Sequence, residues 1–252
     1  MRGLPHPETR AVDIRQYFDL DDARLRFSRS QASRFAKGVA GDFNPIHDED
    51  AKRFCVPGDL LFAVVLHHYG VNQRMAFDFA GMVDDTSELL LPESPDADFA
   101  LADAAGKAYL HITRAGAHSA DARFIAALSE QYVQFSGQTF PHILVGLMRD
   151  SGAMINPARP MVIYRRMAIE LQRFADLDDA SDAPLSLALD DARMQVQGKK
   201  GEVALDFTIA AGGERIGSGT KQMLLSGLRA YEQAAIDDIV AEYDGWRAGF
   251  SG

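Results

Sequence analysis

The chain has 252 residues, 47% hydrophobic and 25% charged, with a formal net charge of −10. That length suits one large domain or two of about 125 residues, and the balance supplies a sizeable core. The acidic excess argues against a nucleic-acid binder, which needs a basic footprint to release counterions from phosphate.

Residues 1–22 carry two prolines and lack the apolar segment of a secretory signal, so they read as a polar leader. No apolar run approaches the roughly 18 residues that cross a bilayer, and no membrane contact is expected. The single cysteine, Cys55, cannot form an internal disulfide, which fits a reducing compartment and a cytoplasmic location.

RLRFSRS (24–30) alternates like a short strand, and Ser30 is placed to cap the helix QASRFAKGVAG. AGDFNPIHDEDAKRF (40–54) then gathers Asp42, Asn44 and His47 around the rigid Pro45 and starts a charged helical turn. DLLFAVVLHHYG (59–70) is apolar nearly all round, predicting a buried central helix closed by Gly70. RMAFDFAGMV, TSELLLPES, DFALADA and KAYLHITRA follow with period two and turn residues between, predicting four strands wrapped around that helix.

The order then repeats. DARFIAALS is expected as a strand, EQYVQFSG as a helix, and PHILVGLMRDSG as a second apolar helix closed by Gly152. MVIYRRMAIELQRF, PLSLALDDARMQVQG, GEVALDFTIA and ERIGSGTKQMLL read as strands, the last two joined by AGG at 211–213, a hairpin signal. LRAYEQAAIDDIVAEYDGWRAG closes the chain as an amphipathic helix expected to dock on its own sheet. Pro57 and Pro141 stand 84 positions apart (141 − 57), and the closing glycines Gly70 and Gly152 stand 82 apart (152 − 70). This weak internal repeat gives the units 23–120 and 121–225, with 226–252 as the terminal helix. The second unit is shorter: 27 positions separate Ser30 from Pro57 and 12 separate Ser129 from Pro141, a difference of 15. The missing stretch corresponds to GDFNPIHDEDAKRFC, and a site, unlike a packing loop, is needed only once.

Gly-Asp-x-Asn-Pro-Ile-His, followed by a Pro-Gly turn into an apolar helix, resembles the MaoC-like hydratases and dehydratases, including the (R)-specific enoyl-CoA hydratases. The match is strongest over residues 28–65, and GDFNPIH is its specific core. The whole chain also resembles a set of uncharacterised bacterial proteins carrying this motif with a VPGDLLF turn, a likeness that brings no activity with it. The resemblance implies an α+β double hotdog: two antiparallel sheets, each wrapping a central helix, packed as a pseudo-dimer within one chain. It implies Asp42 and His47 as the catalytic pair and Gly58 as the glycine whose amide begins the central helix; Asn44 is placed to orient the pair by hydrogen bonds to the loop backbone. The implied reaction is hydration of a 2-enoyl thioester, or its reverse, on coenzyme A or acyl carrier protein, with no cofactor and no metal. Homodimerisation is left open.

The chemistry suits those residue types. Hydration needs a group that takes a proton from water, one that gives a proton to the α-carbon, and donors for the thioester oxygen. Helix N-terminal amides suit an enolate-like oxygen. Two positions depart from the family: Pro57 replaces a histidine, and Asp59 adds a negative charge beside the proposed donors; both are candidate substrate contacts. They favour the alternative of a non-catalytic acyl-thioester binder, which the intact Asp42, Asn44 and His47 oppose; a third reading, an acyl thioesterase, needs a carboxylate aimed at the carbonyl carbon instead of the β-carbon. Asp42 and Asn44 are also ordinary turn residues, and a lone His47 is more often structural. HDED (47–50) as a metal site and Cys55 as a nucleophile are weaker readings than a helical turn and a small buried thiol. His67 and His68 are adjacent on a helix, point to different sides, and read as core and rim residues.

Overall fold

The computed structural model describes residues 12–177 and 184–250. Half of the leader, residues 1–11, therefore lies outside the described residues. Its described end forms a 3-10 turn at Ile14–Tyr17 and an edge strand, β1 (Asp19–Asp21). After β2 (Arg24–Arg26) comes α1 (Arg29–Phe35), capped by Ser28 rather than the expected Ser30. Ser28 Oγ accepts from Gln31 N (3.1 Å) and Gln31 Oε1 accepts from Ser28 N (2.8 Å), a reciprocal box that Ser30 has no glutamine to complete. A π-turn at Ala36–Ala40 then leads to Gly41.

α2 (Gly58–Tyr69) is the expected central helix. Leu60 through Leu66 are each no more than 2% exposed, which is why no polar face appears in its sequence. Around it pack Phe77, Leu101, Ile112, Phe124, Tyr132 and Phe207, each side chain removing apolar area from water at about 2 kcal/mol. His67 and His68, expected as core and rim, both sit exposed at its C-terminal end.

DARFIAALS is not a strand. It is the first half of α3 (Ala122–Gly137), started by Asp121, whose side chain accepts from Phe124 N at 2.8 Å. Phe124, Ile125, Leu128 and Tyr132 follow the 3–4 spacing of a buried helical face, which outweighs the short apolar run as a period-two signal. The second apolar helix is likewise shorter than expected: α4 (Leu144–Ser151) buries only Leu144 and Met148, and residues 139–143 form an irregular turn with a cis Phe140–Pro141 bond.

The remaining strands are β3 (Val71–Phe79), β4 (Leu89–Leu90), β5 (Asp98–Ala102), β6 (Ala108–Ser119), β7 (Ala153–Met154), β8 (Val162–Leu171), β9 (Leu185–Gln197), β10 (Lys200–Ala211), β11 (Glu214–Ser226) and β12 (Arg229–Ala230). Instead of two sheets, ten strands form one sheet in the order β1-β2-β4-β5-β6-β3-β8-β11-β10-β9; β12 and β7 pair separately. All pairings are antiparallel, and the halves join through β3 and β8 in the register Arg74↔Glu170 to Asp78↔Arg166. Joining two sheet edges this way pairs the middle of β3 and β8 and so reduces the usual hazard of a long edge. The β10–β11 hairpin turns at Gly212-Gly213, as read from the sequence.

A second core gathers Leu144, Met148, Met154, Leu205, Met223 and Leu225 with Ile236 of α5 (Gln233–Gly249). The structure is thus mixed α/β, with one large antiparallel sheet and two apolar clusters against it. α3 packs against α2 and joins the first cluster, so it lies between the halves. There Gly137 leaves no room for a side chain: a Cβ would stand 1.8 Å from the Ala40 carbonyl oxygen.

Candidate functional site

The 41–57 loop is built from its own short-range bonds. Asp42 Oδ1 accepts from Asn44 N (2.9 Å), and Asn44 Oδ1 accepts from Ile46 N (3.2 Å), capping a 3-10 turn at Pro45–His47. The expected charged helix after His47 is absent: Asp48 ends the turn and pairs with Lys37 at 2.7 Å. Pro45 has no amide to contribute and fixes φ, so the bend is rigid. Tyr243 of α5 clamps its start, its hydroxyl donating to Gly41 O and accepting from Phe43 N, each at 3.1 Å.

This bend brings His47 Nε2 to 3.7 Å from Asp42 Oδ2, with both side chains largely buried. His47 Nδ1 lies 2.6 Å from the Cys55 carbonyl oxygen. A carbonyl can only accept, so Nδ1 carries a proton, and in the neutral form of the ring this leaves the lone pair on Nε2, the nitrogen nearer Asp42. Two acceptors 3.7 Å apart cannot bond each other, but they can take the two hydrogens of one water.

Asp42, Asn44, His47 and Gly58 line one cavity of about 830 Å³. Its other walls are largely apolar: Leu61, Phe79 and Val83 from the first half, Leu144, Ile155, Val162 and Met223 from the second, and Ile239 and Trp246 from α5. The site thus lies between the halves, and the terminal helix covers it as well as docking on the second core. Gly58, the first residue of α2, permits a close wall: a Cβ there would come within 2.9 Å of both Tyr164 Cδ2 and Phe79 Cε1.

The two other predicted contacts are placed differently. Pro57 caps α2 and Asp59 follows Gly58, but neither lines the cavity. Asp59 is 2% exposed, behind the wall. Its Oδ2 accepts from Ser136 Oγ (2.5 Å) and from Tyr164 OH (3.3 Å), while Oδ1 has no hydrogen-bond partner among the described residues. The fully buried Lys221 Nζ donates to Ser136 Oγ and to Thr139 Oγ1 (3.4 Å) and lies 3.8 Å over the Tyr164 ring. Burial drives both ionisable groups toward neutrality. Desolvation raises the Asp59 carboxyl against the opposing pull of Lys221, and desolvation lowers Lys221 to about 8 against that of Asp59. The Tyr164 hydroxyl is pushed well above its usual range by burial and then by the Asp59 charge.

Apart from Asp59, this cluster was missed in the sequence. One signal was present: Lys221 shares inward strand parity with Met223 and Leu225, where a lysine is unexpected. Cys55 is half-buried, its Sγ bonded to Val56 O at 3.3 Å and its thiol pushed up to about 12 by burial, which makes a poor nucleophile. No group of three or more His, Cys, Asp or Glu that could hold a metal occurs among the described residues. No helix among them is long and apolar enough to cross a membrane.

A family model described as a protein of unknown function (DUF3581) matches residues 12–234. No curated protein matches the sequence. Among solved structures the chain is similar to a MaoC-like dehydratase at 10% identity, covering 82% of this chain and 97% of that one, with a TM-score of 0.40. It is similar to an acyl-CoA thioesterase II, TesB2, from Mycobacterium marinum at 12% identity, covering 87% and 99%, also at 0.40. A tesB protein from Mycobacterium avium subs paratuberculosis gives 9% identity, 69% and 89% coverage and 0.38. Likenesses this distant say nothing of the chemistry.

Proposed function

The chain belongs to the DUF3581 family, and on that premise we propose that it adds water to, or removes it from, an acyl thioester bound in the cavity between its halves. The arrangement fits a double hotdog whose two halves share one sheet, the first carrying the water site and the second completing the cavity. The observation that carries the reading is the 3.7 Å approach of His47 Nε2 and Asp42 Oδ2 at a largely apolar cavity that also exposes Gly58 at the N-terminus of α2.

The acyl chain occupies the apolar part of the cavity, and the thioester oxygen lies toward the amides of Gly58 and Asp59, ahead of Leu60 and Leu61, whose amides donate to Pro57 O. A water shared by Asp42 and His47 attacks the β-carbon. His47 Nε2 takes its proton as the new C–O bond forms, and Asp42 stabilises the imidazolium. The imidazolium returns the proton to the α-carbon, giving the 3-hydroxyacyl thioester, and the reverse sequence eliminates water. Every proton is accounted for within the pair, so no cofactor or metal enters the scheme. The Asp59 charge does not oppose the oxyanion at contact range, because its carboxylate is turned to Ser136 and Tyr164.

Loss of the enoyl absorbance of 2-enoyl-CoA substrates of increasing chain length, and of their carrier-protein thioesters, tests this. The expected outcome is conversion to the 3-hydroxyacyl product at a rate proportional to enzyme. Saturable binding with no turnover of any substrate would replace the enzyme by an acyl-thioester binder.

A further inference from the structure

The buried polar cluster has a geometry that a purely structural plug does not need. Ser136 and Thr139 line the cavity from the end of α3 and the turn that follows. Ser136 Oγ is the hub: it donates to Asp59 Oδ2 (2.5 Å), accepts from Lys221 Nζ, and lies 3.1 Å from Tyr164 OH. A hydroxyl hydrogen-bonded to a buried amine, itself held in place by a third group, is the arrangement that activates a serine. The third group here is threefold: Thr139 Oγ1, the Tyr164 ring and the field of Asp59.

We propose that Ser136 is a nucleophile and Lys221 its general base, so that the cavity forms an acyl-enzyme from a thioester or ester carbonyl and hydrolyses it. With Lys221 uncharged, the Ser136 hydroxyl turns its hydrogen from Asp59 Oδ2 to the Nζ lone pair, and Lys221 takes that proton as Oγ bonds to the carbonyl carbon. The tetrahedral oxyanion lies toward the first amides of α2, whose second residue is the Asp59 that bonds Ser136. The C–S or C–O bond breaks, and Lys221 gives the proton to the departing thiolate or alkoxide. Water then adds to the acyl carbon, Lys221 takes its proton, Ser136 Oγ leaves with that proton, and a carboxylic acid is released. Burial lowers Lys221 to about 8, against the like-signed effects of Asp59 and Asp42, so an uncharged amine is within reach near neutral pH. This activity shares the cavity with the hydration reading but not its water pair.

The test is covalent labelling of the full chain with an alkyl fluorophosphonate, mapped by peptide mass spectrometry, with enoyl-CoA hydration followed in the same preparation. Label on Ser136, its loss in Ser136→Ala, and roughly hundredfold slower labelling in Lys221→Arg support the assignment. The arginine variant keeps a buried cation while removing the base, and circular dichroism checks its folding; Lys221→Met, which removes the base without adding bulk, is expected to label as slowly. An unlabelled Ser136 in the unaltered protein, or labelling as fast in Lys221→Arg, overturns it. Hydration without label overturns the nucleophile and leaves the water pair standing; label without hydration does the reverse.

Discussion

Lys221 illustrates what a single buried charge does to the chain. The unfolded chain holds its proton up to about the ordinary lysine value of 10.5, whereas the folded chain releases it near 8. Between those values the unfolded state binds more protons, so stability rises with pH there. The expected gain is about 3 kcal/mol across the window, relative to a Lys221→Met variant that cannot titrate. Urea midpoints of the two proteins from pH 7 to 10.5 check this; parallel curves would mean that Lys221 keeps its proton when folded. Tyr243 makes a second point at this scale. Tyr243→Phe keeps the ring packed on Phe43 and Phe140 but strips the hydroxyl that serves Gly41 O and Phe43 N. Leaving those buried groups unpaired costs about 1–3 kcal/mol. Because they hold the bend that carries Asp42, turnover is expected to fall more than the melting temperature shift explains.

Helix ends and close contacts position the site at the scale of elements. Gly58→Ala puts a methyl carbon against the Tyr164 and Phe79 rings, both of which line the cavity. The expected result is a loss of about 1–3 kcal/mol and a raised KM, because the rings move into substrate space. Gly137→Ala collides with a backbone carbonyl instead, which no rotamer change relieves. It is expected to cost about 3 kcal/mol or more in urea unfolding and to separate α3 from the turn that precedes the bend. Elements also mark where sequence reading failed. The central helix was legible because Leu60 to Leu66 are apolar on every side, and the hairpin because two glycines interrupt period-two strands. α3 was split because FIAAL is short and apolar, satisfying either periodicity; its Asp121 cap was the overlooked arbiter. Ser28 and Ser30 both fit a cap by type, and only the Gln31 reciprocity separates them.

For the molecule as a whole, the sequence suggested a repeated order of elements, but nothing in it showed that ten strands would join in one sheet. The β3–β8 pairing links residues about 90 positions apart, and no local pattern encodes which edges meet. The same limit hid Ser136, Tyr164 and Lys221. Asp42, Asn44 and His47 lie within one bend and declare themselves by spacing, whereas Asp59, Ser136, Tyr164 and Lys221 converge from α2, α3, β8 and β11. The central claim is that Asp42 and His47 grip the same water, and a double-mutant cycle on enoyl-CoA hydration tests it most directly. Asp42→Asn and His47→Ala are each expected to slow hydration by about 10²–10⁴-fold. The double variant should be no slower than the worse single one, as for residues acting as a unit. Losses that multiply, or singles that hydrate as fast as the unaltered protein, would contradict it.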